Sequence, residues 1–396
     1  MFDQLNALPA DPLLGLISQF RDDPNPKKVD LGVGVYRDES GHTAIMSAVQ
    51  KAAQQHLETE DSKTYIGPGG VPGFIQGVKS LVFGKDSSIL KDERIAAIQT
   101  PGGCGALRVG AELIKRVKGE LTVWVSDPTW ANHIPLIKSA GLNIKTYPYF
   151  DHSTGAVNFT AMDEQLAQLG PTDIVLLHGC CHNPTGADLS FENWQQVASR
   201  AAQNGFIPFV DIAYQGLGDG LEEDVKGVRY LAEKVDEMIV ATSCSKNFGL
   251  YRERTGSLLI QTKSKEQAQA IQTQIQDVAR ANYSMSPAYG GFLVDLVLSN
   301  DSLRTEWEAE LNSMALRVKS LRAGLLKQIQ LQGIEQDFSF ITQQKGMFSY
   351  LGITKEQVQR LKSEYSIYMA DSSRVNVAGL NTHCLEYVAQ SLKAVL

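Results

Sequence analysis

The sequence has few cysteines, no apolar run long enough to cross a membrane and no excess of positive charge. Its five cysteines are an odd number, and the adjacent Cys180 and Cys181 are poorly placed for a disulfide, so buried free thiols are expected. The formal net charge of -7 disfavours nucleic acid and membranes as partners, because both require a basic surface. Asp3 and Asp11 lie where a signal peptide would need basic residues, so we expect a cytoplasmic protein that binds small molecules.

The composition is that of a folded globular protein with more than one domain. Hydrophobic residues make up 43% of the chain and charged residues 20%, and no low-complexity tract or repeat is found. Because 396 residues exceed what one hydrophobic core commonly supports, we expect two domains or one large domain with a smaller one. Because the chain is acidic overall, an anionic ligand would be bound by a few placed arginines and helix N-termini.

The middle of the chain alternates strand-like and helix-like segments. From about residue 95 to 260, short β-rich runs separated by helical stretches predict βαβ units and a mostly parallel sheet. Ligands bind such sheets at the carboxyl ends of the strands. The predicted strands include 122–125, 174–178, 206–210, 238–242 and 257–260.

A long amphipathic helix follows the sheet region. Asp301 and Ser302 are expected to cap it, and its apolar residues recur every three or four positions. A stripe of this length needs two partners to cover it, so we expect the helix to enter a second domain. There, GMFSYLG predicts a strand and Lys355–Tyr365 a helix. The stripe consists of Leu303, Trp307, Leu311, Met314, Val318, Leu321 and Leu325.

The most informative local pattern is SCSKNFGLYRERTG, residues 243–256, which directly follows a predicted strand. Lys246 comes after the small residues Ser243 and Ser245, which leave room around its amine, and the charge of Arg254 lowers an amine pKa. A lysine that forms and exchanges imines requires both features. An isolated lysine in a loop is more commonly a solvated surface charge. The interpretation of Lys246 as an imine-forming lysine therefore depends on the residues around it.

A carboxylate in FVDIAYQGLGDG is a second candidate. Asp211 follows a run of apolar residues, where a carboxylate needs a strong partner. A protonated pyridine nitrogen would be such a partner, and holding that proton makes the ring an electron sink. Tyr214, three residues later, could bond a phenolic oxygen of the same ring. The alternative, that Asp211 is a helix N-cap, is equally compatible with the sequence.

Two glycine-containing segments give weaker signals. NPTG, which begins at Asn183, is a turn after a strand and would present the Asn183 amide. Gly102, Gly103 and Gly105 open a helix, where backbone N–H groups can approach a phosphate. The glycine spacing of dinucleotide-binding proteins is absent.

SDPTWANH contains an aromatic candidate. Trp130 could stack on a cofactor ring while His133 orients Asp211 from behind. A tryptophan considered alone is more commonly a core residue.

Together these segments resemble the class I aminotransferases of the aspartate and aromatic branch, which use pyridoxal 5'-phosphate (PLP) on a fold called fold type I. DLGVGVYRDE, NPTG, the SCSKNFG loop, RANYS and DSSRVNVAGL occur in the order and at about the spacing of that family. The resemblance implies an α/β fold, with a large domain of mostly parallel sheet flanked by helices and a smaller α/β domain. Residues 1–45 would form an N-terminal arm and part of the small domain, 46–313 the large PLP-binding domain, and 314–396 the remainder of the small domain.

The resemblance also implies roles around the cofactor. Lys246 would bind it covalently and move the proton, Asp211 would pair with the pyridine nitrogen, and Trp130 would stack on the ring. Tyr214 and Asn183 would bond the phenolic oxygen. No metal is expected. The phosphate would be held by Gly103, Cys104, Ser243, Ser245 and Arg254, with Tyr65 reaching in from a second subunit.

For the substrate, the resemblance implies that Arg374 binds the α-carboxylate in a bidentate fork, with Gly34 closing over it. Arg280 of a second subunit would receive a distal carboxylate, with Ser284 beside it. The other residues expected to contact substrate are Leu13, Leu14 and Val33, which form an apolar lid, and Trp130, Asn183 and Phe348.

Residues shared between subunits imply a homodimer. The arm MFDQLNALPADP is expected to lie on the partner, and the small domain is expected to close on substrate.

Three residues depart from the aspartate-preferring pattern of the family and bear on substrate preference. Cys104 replaces a hydroxyl residue beside the phosphate, Met285 replaces a small amide, and Thr64 precedes Tyr65. We expect a ping-pong aminotransferase that moves the amino group between tyrosine, phenylalanine or aspartate and 2-oxoglutarate. The main alternative is an aspartate aminotransferase with little aromatic activity. Another PLP reaction, such as elimination or decarboxylation, and a PLP-sensing regulator are less favoured.

Overall fold

The computed structural model describes residues 1–7, 12–117 and 119–396. The side chains of Leu13 and Leu14 lie outside this description, as do residues 8–11 of the predicted N-terminal arm. The predicted roles of the lid leucines and of the arm therefore stay predictions.

The strands are short and most of them are buried. They are β1 Val29–Asp30, β2 Ile95–Pro101, β3 Thr122–Asp127, β4 Asn143–Pro148, β5 Phe150–Asp151, β6 Ala156–Val157, β7 Asp173–His178, β8 Ile207–Ile212, β9 Met238–Ser243, β10 Thr255–Gln261, β11 Phe348–Tyr350, β12 Ile367–Tyr368 and β13 Arg374–Asn376.

Helices connect these strands, and single turns of 3-10 helix lie at Phe2–Gln4, Glu223–Val225 and Val377–Gly379. The α-helices are α1 Pro12–Asp22, α2 Ser47–Thr59, α3 Pro72–Phe83, α4 Ser88–Lys91, α5 Gly102–Arg116, α6 His133–Ser139, α7 Phe159–Leu166, α8 Phe191–Asn204, α9 Lys226–Lys234, α10 Lys265–Tyr283, α11 Tyr289–Ser299, α12 Asp301–Leu331, α13 Phe340–Gln343, α14 Lys355–Tyr365 and α15 Leu385–Val395. In the part of the chain that the structure describes, no helix is both long enough and apolar enough to span a membrane.

Seven strands form the central sheet in the order β2-β10-β9-β8-β7-β3-β4. Strand β10 is antiparallel to both of its neighbours, and the other pairings are parallel. The predicted α/β class and mostly parallel sheet are confirmed, and each of the five named strands is present. Strands β2 and β4 were not named, because β2 contains buried Gln99 and Thr100 and β4 is a largely exposed edge strand.

Apolar side chains cover the sheet on both faces. Leu176 and Phe209 point to one cluster, which includes residues of α5, α6 and α10. Their neighbours Val175 and Val210 point to a second, larger cluster, which reaches α3, α8, α9, α11 and α12. This alternation is the period of two that a strand imposes on its side chains. The sheet is therefore an interior layer, and its strand ends are the places where polar groups can gather.

The two ends of the chain pair with each other beside the sheet. Val29 of β1 lies opposite Ile367 of β12 in a parallel pair, and the Asn376 N–H donates to the Leu31 carbonyl at 2.8 Å. Strand β13, which begins at Arg374, pairs antiparallel with β11. The N-terminal segment and the C-terminal third thus share backbone hydrogen bonds, and together they place Arg374 at the edge of the sheet region.

Helix α12 contains the predicted stripe, which is buried except for half-buried Met314. The predicted capping residues were wrong. Asn300 is the cap, since its side-chain oxygen accepts from the backbone N–H groups of Ser302 at 3.0 Å and Leu303 at 3.1 Å. Asp301 and Ser302 lie in the first turn instead. Asn and Asp cap helices equally well, so the sequence alone did not separate two adjacent candidates.

A buried arginine of α12 holds the segment before β11. Arg322 is 2% exposed, and its guanidinium donates to the carbonyls of Ile341 at 2.8 Å, Gly346 at 2.8 Å and Phe348 at 2.6 Å. It also donates to Ser349 Oγ at 2.6 Å. Burial lowers the pKa of Arg322 to about 10, and the guanidinium therefore stays charged at neutral pH.

These hydrogen bonds lead to a stability prediction. We expect Arg322→Met to lower the free energy of unfolding by about 3 kcal/mol, because several buried carbonyl groups lose their donor. Arg304→Met, on the same helix, removes a partly exposed pair with Glu308 and should cost less than about 1 kcal/mol. Urea unfolding of both variants measures the difference. Equal losses would contradict the importance that we assign to the buried hydrogen bonds.

Candidate active site

A cavity of about 210 Å³ opens at the carboxyl-terminal edge of the central sheet. Six strands deliver residues to it: β2, β3, β7, β8 and β9 by their ends, and β10 by the residue just before its start. Parallel strands place their carboxyl ends at one edge, which is why segments distant in sequence meet there. The lining residues are Gly34, Gly103, Cys104, Leu107, Trp130, His178, Cys180, Asn183, Asp211, Ala213, Tyr214, Ser243, Ser245, Lys246, Arg254, Phe348 and Arg374.

Asp211 is a buried carboxylate within strand β8, 7% exposed. The structure rejects the N-cap interpretation, since no helix begins there. His133 Nε2 lies 3.0 Å from Asp211 Oδ2, as predicted for a residue that orients the carboxylate from behind. Burial by itself would raise the pKa of Asp211, but the His133 hydrogen bond and nearby positive charge give a net lowering. The carboxylate therefore stays ionised and offers negative charge to the cavity.

A chain of polar contacts runs behind Asp211. Thr129 Oγ1 lies 2.8 Å from His133 Nδ1 and 3.3 Å from His178 Nε2. The ring of His178 lies 4.1 Å, centroid to centroid, from that of His182. His178 is not among the site residues predicted from the sequence. The register could have found it, because His178 is the partner of Asp211 in the neighbouring strand.

Lys246 follows the end of β9 and directs its amine into the cavity. Its Nζ lies 4.7 Å from the centroid of the Tyr214 ring. Burial lowers the pKa of Lys246, and the charge of Asp211 opposes this effect only in part. The predicted environment of a reactive amine is therefore present: Lys246 lies in a cavity with an ionised carboxylate and an aromatic face, not on the solvated surface.

Small and polar groups converge at the start of α5. Gly102 has φ +69°, and a Cβ there would lie 2.7 Å from Arg254 Nη2. A Cβ on Gly103 would lie 3.2 Å from Ser243 Cβ. Backbone N–H groups at a helix start, two hydroxyls and a guanidinium form a suitable cradle for an anion. Ser245 belongs to the same group, since the Ser243 hydroxyl donates to Ser245 Oγ at 3.0 Å.

Arg374 lies across the cavity and is 8% exposed. Its Nη2 donates to the Gly32 carbonyl at 2.8 Å and its Nη1 to Asn183 Oδ1 at 3.5 Å. Its Nε is buried without a hydrogen-bond partner among the described residues. Burial lowers the pKa of Arg374, although not enough to remove the charge of a guanidinium. A buried cation with an unused donor is a suitable site for a ligand carboxylate.

Phe348 packs directly against this arginine. The Arg374 guanidinium carbon lies 4.5 Å from the Phe348 ring centroid, and the ring meets Tyr214 edge to face with centroids 6.0 Å apart. A Cβ on Gly34 would lie 3.0 Å from the ring. Phe348 therefore packs against both Arg374 and Gly34, and a larger residue at position 34 would require the ring to shift.

Several predicted residues do not reach the cavity of their own chain. Tyr65 is 87% exposed, and Arg280 and Ser284 are exposed on the surface at the end of α10. Val33 is half-buried and does not line the cavity. Its carbonyl accepts from the Asn376 side chain at 2.6 Å. The cavity residues that the sequence analysis left out are Leu107, His178, Cys180 and Ala213.

Cys180 lines the cavity, and together with Cys181 and Asp224 it places three possible metal-ligand atoms within 4.8 Å of one another. The carboxylate of Asp224 already accepts backbone N–H groups from Gly216, Gly218 and Asp219. The Asp224 carboxylate therefore holds the loop of residues 216–219 in place. All five cysteines of the chain are free, as expected, but only Cys180, Cys181 and Cys244 are buried, and Cys104 and Cys384 are half-buried.

Nearly the whole chain, including the segments that contain Asp211 and Lys246, matches a known protein family. The model of the family aminotransferase class I and II matches residues 26–392, and the chain therefore belongs to that family. The resemblance stated from the sequence is confirmed.

Relatives within the family include enzymes of both branches. The chain is 44% identical over 396 residues to an aspartate aminotransferase of Escherichia coli, with all of both chains covered. It is 45% identical over 395 residues to an aromatic-amino-acid aminotransferase of Paracoccus denitrificans, with 99% of both covered. A solved aromatic-amino-acid aminotransferase from Burkholderia pseudomallei, covalently bound to pyridoxal phosphate, superposes with a TM-score of 0.98. It is 41% identical and covers 100% of this chain and 99% of its own.

The histidines behind Asp211 predict a loss of stability in acid. Burial lowers the pKa of His178 to about 3, and burial also lowers the pKa of His182 well below its ordinary value. Unfolded histidine binds a proton below about pH 6.5, whereas the folded chain keeps both rings neutral. The free energy of unfolding should therefore fall as the pH drops from about 6.5 toward 3, by up to about 1.4 kcal/mol per pH unit for each histidine.

Urea unfolding of the apoprotein at several pH values between about 7 and 4.5 measures this slope. We expect His178→Gln to flatten it. His383→Gln removes an exposed histidine and should leave the slope unchanged. The same slope in wild type and His178→Gln would contradict the assigned pKa of His178.

Proposed function

We propose that this chain transfers the amino group between aspartate, tyrosine or phenylalanine and 2-oxoglutarate by a ping-pong mechanism that uses PLP. The aminotransferase class and the cofactor follow from the family and from relatives named for this activity. The observation that carries the proposal is one cavity that holds the Lys246 amine, the Asp211 carboxylate and the Arg374 guanidinium. These are the three charged groups that such a reaction needs: a nucleophilic amine, a partner for the pyridine nitrogen and a carboxylate receptor.

The residues present fit PLP. Asp211 supplies a buried anion for the protonated ring nitrogen, and the glycine and hydroxyl cradle at the start of α5 would be filled by any added Cβ. When bound, PLP withdraws electrons from the α-carbon of the substrate. Tyr214 and Asn183 would bond its phenolic oxygen, and Trp130 would cover its ring. Gly103, Cys104, Ser243, Ser245 and Arg254 would hold its phosphate.

Lys246 is proposed as the residue that binds the cofactor and moves the proton. Because burial lowers its pKa, a larger share of its amine is neutral at working pH than for a solvated lysine, and a neutral amine can both attack and accept a proton. Asp211 is kept ionised by His133, which Thr129 in turn contacts. These residues fix the charge on which the electron withdrawal depends.

Arg374 is proposed to bind the α-carboxylate of every substrate. Its unpaired Nε and its position over Phe348 leave the guanidinium fork available to a carboxylate. Asn183 and the Gly32 carbonyl hold the other nitrogens in place. A bidentate fork orients the amino acid as well as binding it, because it fixes both oxygens of the carboxylate.

A second copy of the chain is proposed to complete the site. Tyr65, Arg280 and Ser284 are exposed and do not line the cavity of their own chain. The apolar Phe2 and Leu5 are also 77% and 74% exposed, which is unfavourable unless a partner covers them. In a homodimer, Tyr65 would meet the phosphate and Arg280 the distal carboxylate of the neighbouring subunit.

Dual specificity is proposed because the two carboxylate receptors are held differently. Arg374 is buried and hydrogen-bonded within its own chain, whereas Arg280 is exposed in its own chain, and we propose that it turns toward water when an apolar ring enters. Burial of such a ring contributes roughly 1.5–3 kcal/mol, which offsets a lost ion pair only if the arginine remains solvated. Relatives named for both aspartate and aromatic substrates support this reading. An aspartate enzyme with little aromatic activity remains the alternative.

The domain division and the compartment are further parts of the proposal. The central sheet lies within 46–313, and strand pairing joins the segment before residue 45 to that after 314. This supports a large domain and a small domain built from both ends, which would close on substrate. Five free cysteines are consistent with a reducing compartment such as the cytoplasm.

The first test concerns Lys246. Borohydride reduction of the holoenzyme, followed by digestion and mass spectrometry, should place the pyridoxyl group on the peptide that contains Lys246. Lys79 is an internal control, since burial lowers its pKa too, yet it does not line the cavity. Lys246→Arg should abolish the label. A label on Lys79 or any other lysine would refute the assignment.

The second test separates the two arginines. Arg374→Ala should lower kcat/KM for aspartate, glutamate and phenylalanine alike, by about 2–5 kcal/mol of transition-state stabilisation. Arg280→Ala should lower it strongly only for the diacids. Arg116→Ala serves as the control, because this arginine is exposed and contacts Asp277 on the same helix as Arg280. Equal losses for all substrates in Arg280→Ala would contradict the division of labour.

The same variants test the dimer and the specificity. A mixed dimer of Arg374→Ala and Arg280→Ala regains one intact site only if Arg280 acts across the interface, so mixing should restore aspartate activity. No recovery would reject a shared site.

In the wild type, a preference for aspartate over both aromatics of more than about a thousandfold in kcat/KM, or about 4 kcal/mol, would favour the aspartate-only alternative.

A further inference from the structure

A tryptophan of α12 contacts the backbone beside Lys246. Trp307 is 0% exposed, and its indole Nε1–H donates to the Asn247 carbonyl at 2.7 Å. Its ring stacks on Phe248, with centroids 4.4 Å apart and an angle of 9° between the planes. One side chain therefore holds the two residues that directly follow the lysine.

The residues before Lys246 are held by the Cys244 N–H, which donates to the Thr255 carbonyl at 3.0 Å, and by the Ser245 N–H, which donates to Ser243 Oγ at 3.2 Å. After Lys246 the backbone bonds are those of a short turn, from Gly249 N–H to the Lys246 carbonyl at 3.1 Å and from Leu250 N–H to the Cys244 carbonyl at 3.4 Å. The side-chain oxygen of Asn247 is buried without a hydrogen-bond partner among the described residues. The Asn247 peptide group is thus oriented by the indole and not by its own side chain.

We propose that Trp307 is a positioning residue for Lys246. It acts through the Asn247 carbonyl and the Phe248 ring, and it sets the direction in which the lysine side chain leaves the backbone toward Tyr214 and Asp211. The proposal rests on the function proposed above for Lys246. Trp307 itself does not line the cavity, so it touches neither substrate nor cofactor.

The physical reason lies in the length of the lysine side chain. Four rotatable bonds separate Nζ from the backbone, so a small rotation of the Asn247 peptide group displaces the amine by a larger distance. Misplacement of a reacting group by about 1 Å can cost about a hundredfold in rate. A long helix such as α12 is more rigid than the loop it contacts, and reactive groups supported by helices are held more accurately.

Trp307→Phe tests the proposal, because it keeps an aromatic ring against Phe248 and removes the N–H donor. Trp194→Phe is the matched control. Trp194 is also a buried tryptophan, 5% exposed, and it packs on Gly227 of α9, away from the lysine loop. If Trp307→Phe does not fold, benzothienylalanine at position 307 keeps the shape of the indole and lacks only the N–H.

Two measurements give the outcome. In the apoprotein, backbone hydrogen exchange of the peptide covering residues 244–250 should be about tenfold faster in Trp307→Phe than in the wild type. In the holoenzyme, kcat should fall about tenfold while KM changes less than about twofold, because Arg374 lies on β13 and not in this loop. Trp194→Phe should show neither change.

Unchanged exchange of the 244–250 peptide, or an unchanged kcat, in Trp307→Phe would overturn the proposal. Equal changes in the two tryptophan variants would also overturn it, since they would show a general loosening of the fold. The borohydride experiment is independent of these results. Label on another lysine would refute the function of Lys246, whereas normal exchange in the 244–250 peptide would refute the positioning by Trp307.

Discussion

The parallel pairing of strands in the central sheet is the constraint on which the site depends. Because β2, β3, β7, β8 and β9 run in the same direction, their carboxyl ends meet at one edge. Apolar clusters cover both faces of the sheet, and the charged groups of the cavity lie at that edge. Asp211 and Lys246 lie on or just after adjacent strands for this reason, although they are far apart in sequence.

Burial of charge gives the cavity its chemistry. Asp211, Lys246 and Arg374 are each removed from bulk water, which is unfavourable for an isolated ion. His133 and backbone carbonyl groups compensate part of this cost. The remaining imbalance appears as the lowered pKa of Lys246 and the unused Nε of Arg374. A ligand that carries a cationic ring and a carboxylate would supply a partner for the Asp211 carboxylate and for the unused Arg374 Nε, so the cavity is complementary to such a ligand.

Helix α12 supports both sides of the cavity. Trp307 contacts the backbone beside Lys246. Arg322, about four turns later in the helix, donates to the carbonyl of Phe348. The Phe348 ring in turn packs against Arg374. About 22 Å of helix separates these two residues at 1.5 Å per residue. Lys246 and Arg374 are thus both packed against residues that one long helix holds, even though one follows the central sheet and the other lies in the C-terminal strands.

The sequence alone determined much of this protein, and the tertiary structure decided the rest. Periodicity predicted the buried strands and the stripe of α12, because a fully covered sheet and an amphipathic helix leave apolar patterns in the chain. The co-occurring motifs predicted Lys246, Asp211 and Arg374. The sequence did not choose between a cap and a buried anion at Asp211, and it did not separate Asn300 from Asp301 as a cap. It also did not reveal that His178 lies in the cavity or that Trp307 contacts the loop of Lys246. Each of these depends on which distant residue lies within about 3–5 Å, and strand register and helix packing set those distances only after the chain has folded.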